Sequence, residues 1–154
     1  DHMERNSTNI ITRLRADFPQ FNFAPGAAAH WSPDQKTIYF QDDLADLFHE
    51  LGHATLGHVQ FVQDIELLKL ERDAWTRGSA IARDYGVTIR DNEIESALDD
   101  YRDWLYTRSL CPDCGQTGLQ SRTTLEYHCL NCDTYWCAND ARTCGLKRRK
   151  VTRN

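Results

Sequence analysis

At 154 residues, with 40% hydrophobic and 27% charged residues and a net charge of −5, the chain suits one ordinary domain or a compact domain with a small appended module. No run of about 18 apolar residues occurs and no apolar segment follows the charged N-terminus, so neither a helical membrane span nor a signal peptide is expected. Residues 1–110 carry 11 Lys/Arg against 19 Asp/Glu, residues 111–154 carry 7 against 4, and all six cysteines lie between Cys111 and Cys144. Two parts of opposite charge are therefore expected, in a cytoplasmic setting where paired cysteines hold metal more often than they form disulfides. The opening Asp1-His2 reads as a remnant of expression, with Met3 the expected native start.

In chain order, Ile10, Ile11 and Leu14 form one helical stripe over Asn9–Ala16, ended by Asp17 to Pro19. "FNFA" and "KTIYF", rich in aromatic and β-branched residues between Pro-Gly and Ser-Pro-Asp turn signals, predict two strands of a small sheet, with "AAAHWSPDQ" between them as a loop. After the acidic Asp42 and Asp43, residues Leu44, Leu47, Phe48, Leu51, Ala54 and Thr55 recur at helical spacing. A second helix spans Asp64 to Tyr85 and is closed by glycine in "DYGV"; a third starts at Asp91 or Asn92 and carries Ile94, Leu98, Tyr101, Trp104 and Leu105 on its apolar side. It runs into the cysteine segment near Leu110, the expected boundary.

The helix at Leu44 holds "FHELGHATLGH". His49 and His53 are four apart, so their imidazoles leave one helical face about a turn apart and can grip one metal ion. Glu50 sits beside that position as a general base and proton shuttle for a water whose pKa the metal lowers. At this chain's own histidine and glutamate frequencies, the three fixed positions match by chance in about one such chain per hundred. The bland alternative is a helix whose histidines face solvent or satisfy core hydrogen bonds.

A catalytic zinc takes three protein ligands, so a third is needed. On a continuing helix His58 lies about 500° past His53, roughly 140° around from it. It would point away from the metal unless the chain broke at Gly57. The related motif that makes such a break places its glycine and third histidine where this chain has Leu56 and Val59. Glu71, in "LERDAW", projects from or beside the buried stripe of Leu68, Trp75 and Ala82, where a carboxylate is costly unless a cation pairs with it. A solvated Glu71 paired with Arg72 or Lys69 is the alternative, and Asp64 and Glu66 read as ordinary N-terminal helix acids.

"HELGHATLGH" followed by a helix with "E-x-x-A-W" resembles the ImmA/IrrE-like zinc metallopeptidases over roughly residues 36–85. The resemblance implies His49, His53 and Glu71 as zinc ligands, Glu50 as the catalytic base, and limited proteolysis of a cytoplasmic regulatory or DNA-associated protein. The chain departs from that family in lacking a helix-turn-helix partner domain and in carrying a cysteine module. A second resemblance, to SprT-like peptidases, rests on an HExxH helix joined to a C-terminal zinc ribbon. There the third ligand is a downstream histidine, and none stands here between His58 and His128.

"CPDC" (Cys111, Cys114) and "CLNC" (Cys129, Cys132) are two C-x-x-C knuckles 14 residues apart, the spacing of a four-cysteine zinc ribbon, with "EYHC" supplying a strand. A redox pair is the alternative. Cys137 and Cys144 read as ordinary cysteines, and His128 as packing on the ribbon. The tail "GLKRRKVTRN" offers Lys147, Arg148, Arg149, Lys150 and Arg153 to phosphates or an acidic partner, or simply to solvent.

The expectation is thus an α+β chain: a minimal zincin-like metallopeptidase domain over 4–108, built of a small antiparallel sheet and three to four helices, a four-cysteine zinc ribbon over 109–146 and a basic tail over 147–154. It would hold two Zn2+, one catalytic and one structural, and act on a protein or peptide aligned along an edge strand such as "KTIYF". Tyr85, Tyr101 and His30 are candidates to stabilise the oxyanion. The alternative function is a non-enzymatic zinc-stabilised module that binds nucleic acid or protein.

Overall fold

The computed structural model of the chain describes residues 2–58, 63–140 and 146–152, with side chains from residue 7 onward. The described residues form a mixed α+β structure of four helices and two small sheets. The chain forms two compact units, one of residues 1–60 and 69–94, the other of 61–68 and 95–154.

The first unit begins with α1 (His2–Asp17), longer than the apolar stripe alone indicates, and continues with β1 (Asn22–Pro25), β2 (His30–Ser32), β3 (Thr37–Phe40) and α2 (Leu44–Thr55). Most of α3 (Asp64–Asp84) belongs to this unit, from Lys69 onward. Ile10, Ile11 and Leu14 of α1, Phe23 of β1, Ile38 of β3, Leu47, Phe48, Leu51 and Ala54 of α2, and Ala74, Trp75, Ile81 and Ala82 of α3 form its core. Each set follows the period of its element, so one face of every helix is removed from water.

Three sequence expectations are corrected here. The sheet is mixed rather than antiparallel: its order is β1-β3-β2, with β1 parallel and β2 antiparallel to β3. The segment expected to be a loop contains β2, which runs back along β3 with Trp31 opposite Ile38. "KTIYF" is therefore the central strand, paired on both sides. It cannot receive a third strand, and the edges of the sheet are β1 and β2.

α2 and α3 approach so closely that their backbones nearly touch. A Cβ on Gly52 would stand 2.1 Å from the Ala74 carbonyl oxygen, and one on Gly78 would stand 2.3 Å from that of Phe48. Helices with ordinary side chains at the contact cross at about 8–10 Å, so this crossing exists only because both positions are glycine. The α2 face bearing the histidines is thereby brought against α3.

The second unit contains α4 (Asp91–Arg108) from Glu95 onward and the antiparallel sheet β4 (Leu119–Gln120), β5 (Tyr127–His128), β6 (Tyr135–Ala138) and β7 (Arg148–Val151), in that order. Its sheet core is Cys111, Tyr127, Cys129 and Trp136. The Tyr127 and Trp136 rings stack at 5.4 Å, and the Trp136 indole N–H donates to the Arg108 carbonyl at 3.0 Å. Arg108 itself is buried, its guanidinium over the Trp104 ring and its Nε donating to the Tyr127 hydroxyl at 3.3 Å. The supposed basic tail is thus a strand over residues 148–151, with Arg149 opposite Cys137 and Lys150 opposite Trp136. No helix among the described residues is long and apolar enough to cross a membrane.

Gly52→Ala tests the crossing. Helix propensity favours alanine by about 1 kcal/mol, but the overlap with Ala74 forces the helices apart, as overpacking does at a cost of about 1–3 kcal/mol or more. A net loss of about 1–3 kcal/mol is expected in chemical denaturation. Unchanged or increased stability would contradict so close an approach.

Candidate metal centre

α2 starts at a fixed point because the Asp43 carboxylate accepts hydrogen bonds from the amides of Ala45 at 2.8 Å and Asp46 at 3.3 Å, a cap worth about 1 kcal/mol. Leu47, Phe48 and Leu51 then turn into the core. That leaves His49 and His53 side by side on the α3 flank, their ring centroids 4.6 Å apart.

Glu71 meets them from the second turn of α3. His49 Nε2 lies 2.8 Å from Glu71 Oε2, and His53 Nε2 lies 3.1 Å from Glu71 Oε1. The three residues offer ligand atoms within 4.8 Å of one another and could hold a metal ion. Trp75, one turn beyond Glu71 on the same face, stacks flat on the His49 ring at 4.1 Å and 4°. That contact fixes the ring plane and excludes water from its back.

The donor set fits a cation. His49 Nε2 is buried and without a hydrogen-bond partner, although a Glu71 carboxylate oxygen lies 2.8 Å away. A buried nitrogen left unsatisfied beside an anionic oxygen is costly, and a shared cation satisfies both. Burial alone would raise the Glu71 pKa, but the two imidazoles hold the carboxyl well below the usual carboxylate range. His53 shows the counterpart: burial would lower its pKa, and the hydrogen bond and charge of Glu71 raise it instead.

Glu50 is turned to the side. Its Oε1 is 3.7 Å from His49 Nδ1 and its side chain is 14% exposed. Burial pushes its pKa up, against the pull of the two histidines.

His58 departs from the helical-angle expectation. α2 ends at Thr55, the C-cap is Leu56, and Gly57 has φ +68, so the chain turns before His58. The ring does not swing away. His58 Nδ1 comes to 2.9 Å from His53 Nδ1, with the rings edge-to-face at 5.2 Å. That is the nitrogen opposite the one facing Glu71, so His58 touches a candidate ligand without joining the ligand group. Burial and the neighbouring His53 lower its pKa.

The residues considered for the oxyanion are engaged elsewhere. The Tyr85 hydroxyl donates to Asp17, and burial and that carboxylate push its pKa up to about 12. Tyr101 lies in the second unit, its ring 5.3 Å from Trp104. His30 stacks on Tyr39 at 4.5 Å. Asp64 also lies in the second unit, where it accepts from the Tyr127 hydroxyl and stands 3.8 Å from Arg108.

In the second unit Cys111, Cys114, Cys129 and Cys132 form a separate group that could hold a metal ion. Cys111 and Cys132 sulfurs are 3.5 Å apart and those of Cys114 and Cys129 are 3.4 Å apart. Disulfide sulfurs stand at about 2.05 Å, whereas ligands at about 2.3 Å around one zinc stand roughly 3.8 Å apart. The Asn131 amide donates to the Cys114 sulfur at 3.5 Å and, with the Gln116 backbone amide, lowers that thiol to about 6. His128 packs on Tyr135 at 4.1 Å rather than joining the group. Cys137 is half-buried against Arg149, 3.7 Å from its guanidinium; Cys144 and Arg153 lie outside the described residues. Of the four cations considered for a nucleic acid or partner, Arg148 donates to the Leu110 carbonyl and Lys150 pairs with Asp113, while Lys147 is exposed.

Sequence reading missed Trp31, Trp75 as the platform for His49, and the glycine crossing. The four-residue step from Glu71 to Trp75 was a signal for the second. Comparisons of the chain with protein-family models, with curated proteins and with solved structures find no match.

Metal analysis of the purified protein is expected to give two ions per chain. His49→Ala or Glu71→Ala should each reduce this to one, and so should Cys129→Ser. Two ions retained in Glu71→Ala would remove that residue from the ligand set.

Proposed function

We propose that the chain is a zinc-dependent metalloendopeptidase similar to the ImmA/IrrE-like peptidases, with the cysteine group as a structural zinc ribbon. The observation that carries this reading is the convergence of His49 Nε2, His53 Nε2 and the Glu71 carboxylate from two helices, with the buried Glu50 carboxylate beside them. Two histidines and a carboxylate form a known zinc-peptidase ligand set that leaves a position open.

A zinc ion there would supply Lewis acidity, polarising the scissile carbonyl and acidifying water. Glu50 takes the proton from the attacking water and delivers it to the departing amide nitrogen. Its burial suits it to both tasks, because a carboxylate raised toward neutrality accepts and returns a proton more readily than an exposed one. Trp75 holds the His49 ring while shielding it from water.

β2 is the sheet edge beside α2, and its Trp31 indole N–H donates to the His58 carbonyl just past that helix, so an extended peptide added along β2 would run beside α2. The substrate is then an extended segment of a protein, and the resemblance makes that protein a cytoplasmic regulator or a DNA-associated one. Lys147 and Arg149 are the cations of the last strand region that would meet a nucleic acid or acidic partner.

Glu50→Gln is expected to retain both metal ions and to lose about 10³-fold or more in peptide cleavage, the scale on which removal of a general base acts. The check is cleavage of a peptide library by wild type and variant, read by mass spectrometry. A peptide hydroxamate should raise the melting temperature of the wild type. Full cleavage by Glu50→Gln would remove the mechanism, and wild type that neither cleaves nor responds to hydroxamate would leave a purely structural metal site.

A further inference from the structure

The first unit contains a contact that the proposed reaction does not use. His53 has both ring nitrogens engaged: Nε2 faces Glu71 at 3.1 Å and Nδ1 faces His58 Nδ1 at 2.9 Å. Two imidazole nitrogens at that distance must share one proton, since two lone pairs or two N–H groups would repel. A histidine that binds metal through Nε2 carries its proton on Nδ1. His58 Nδ1 must then be the acceptor.

His58 is itself held at both ends. Gly57, at φ +68, turns the chain out of α2, a conformation that glycine adopts without strain. The His58 amide donates back to the His53 carbonyl at 3.0 Å, and the indole N–H of Trp31 donates to the His58 carbonyl at 3.2 Å. The Leu56-Gly57-His58 turn therefore returns the ring onto the outer nitrogen of the residue five positions earlier. Trp31 ties that turn to the edge strand β2.

We infer that His58 is a positioning residue for the metal centre, accepting the Nδ1 proton of His53 and so fixing the tautomer and ring orientation that present His53 Nε2 to the ion. This rests on the metal-site reading above and goes beyond it, because His58 is neither ligand nor base. His49 has a different partner on its outer nitrogen, the Glu50 carboxylate at 3.7 Å. Groups that orient a metal-binding histidine through its outer nitrogen typically change metal affinity about 10–100-fold when removed.

The test uses the full chain and Zn2+ itself, titrated against a competing chelator after the cysteine group has been filled. His58→Leu is expected to weaken binding at the histidine site about 10–100-fold, while His58→Asn, whose Oδ1 can stand where Nδ1 stood and accept the same proton, should recover most of the loss. In histidine-labelled, zinc-loaded wild type, ¹H–¹⁵N spectra should show His53 protonated at Nδ1 and hydrogen-bonded, a signature absent from His58→Leu and kept in His58→Asn. Equal affinity in all three proteins, or His53 protonated at Nε2 in the wild type, would overturn the inference. So would a loss in His58→Leu as complete as in His49→Ala with no rescue by asparagine, since His58 would then be a ligand. Should His58→Leu fail to fold, the asparagine variant and the wild-type spectrum still decide. Wild type that takes up no second ion would instead overturn the underlying metal-site reading.

Discussion

The first unit depends on the near-contact of two helix backbones at Gly52 and Gly78. α2 carries two histidines whose ring nitrogens turn toward α3, and α3 carries a carboxylate its own helix cannot neutralise. Trp75 covers the face of the His49 ring, but the ring nitrogens and the carboxylate each still need a polar partner. With a Cβ excluded at both crossing points, α3 comes close enough for the short reach of Glu71 to span both imidazoles. The packing that removes the carboxylate from water also supplies the groups that compensate it, and the opposing pKa directions of Glu71 and His53 record that exchange. Desolvating a carboxylate without partners would cost several kcal/mol, so the pairing belongs to the stability of the unit as well as to its chemistry.

Much of this frame was legible because helical periodicity is a strong signal. Leu47, Phe48, Leu51 and Ala54 declare the buried face of α2, and with it the side on which residues 49 and 53 must lie. Glu71 could be singled out from the cost of a charge beside the stripe of Trp75 and Ala82. The four cysteines needed only their spacing to be drawn together. What escaped was set by contacts between segments distant in sequence. β2 is three residues long and lacks alternating apolar positions, and its place beside β3 follows from pairing. Nothing in "KRRKV" distinguishes a solvated tail from a strand until β6 offers it a partner.

His58 is instructive for a different reason. The angle of roughly 140° from His53 holds only while the helix continues, and the sequence contained the stop: a glycine placed just past the C-cap, the residue that most readily takes the left-handed conformation ending a helix. Gly57 outweighs the helical spacing around it. The turn brings a third histidine back to the centre, against the outer nitrogen of His53 instead of into the ligand group.

The central claim is that His49, His53 and Glu71 share one metal ion, separate from the ion of the cysteine group. Anomalous diffraction from crystals of the purified protein, collected on both sides of the zinc absorption edge, tests it most directly. The account predicts two zinc peaks per chain, one among the sulfurs of Cys111, Cys114, Cys129 and Cys132 and one bounded by His49 Nε2, His53 Nε2 and the Glu71 carboxylate. A peak at the cysteines alone, with the Glu71 carboxylate hydrogen-bonded directly to two protonated imidazoles, would contradict it.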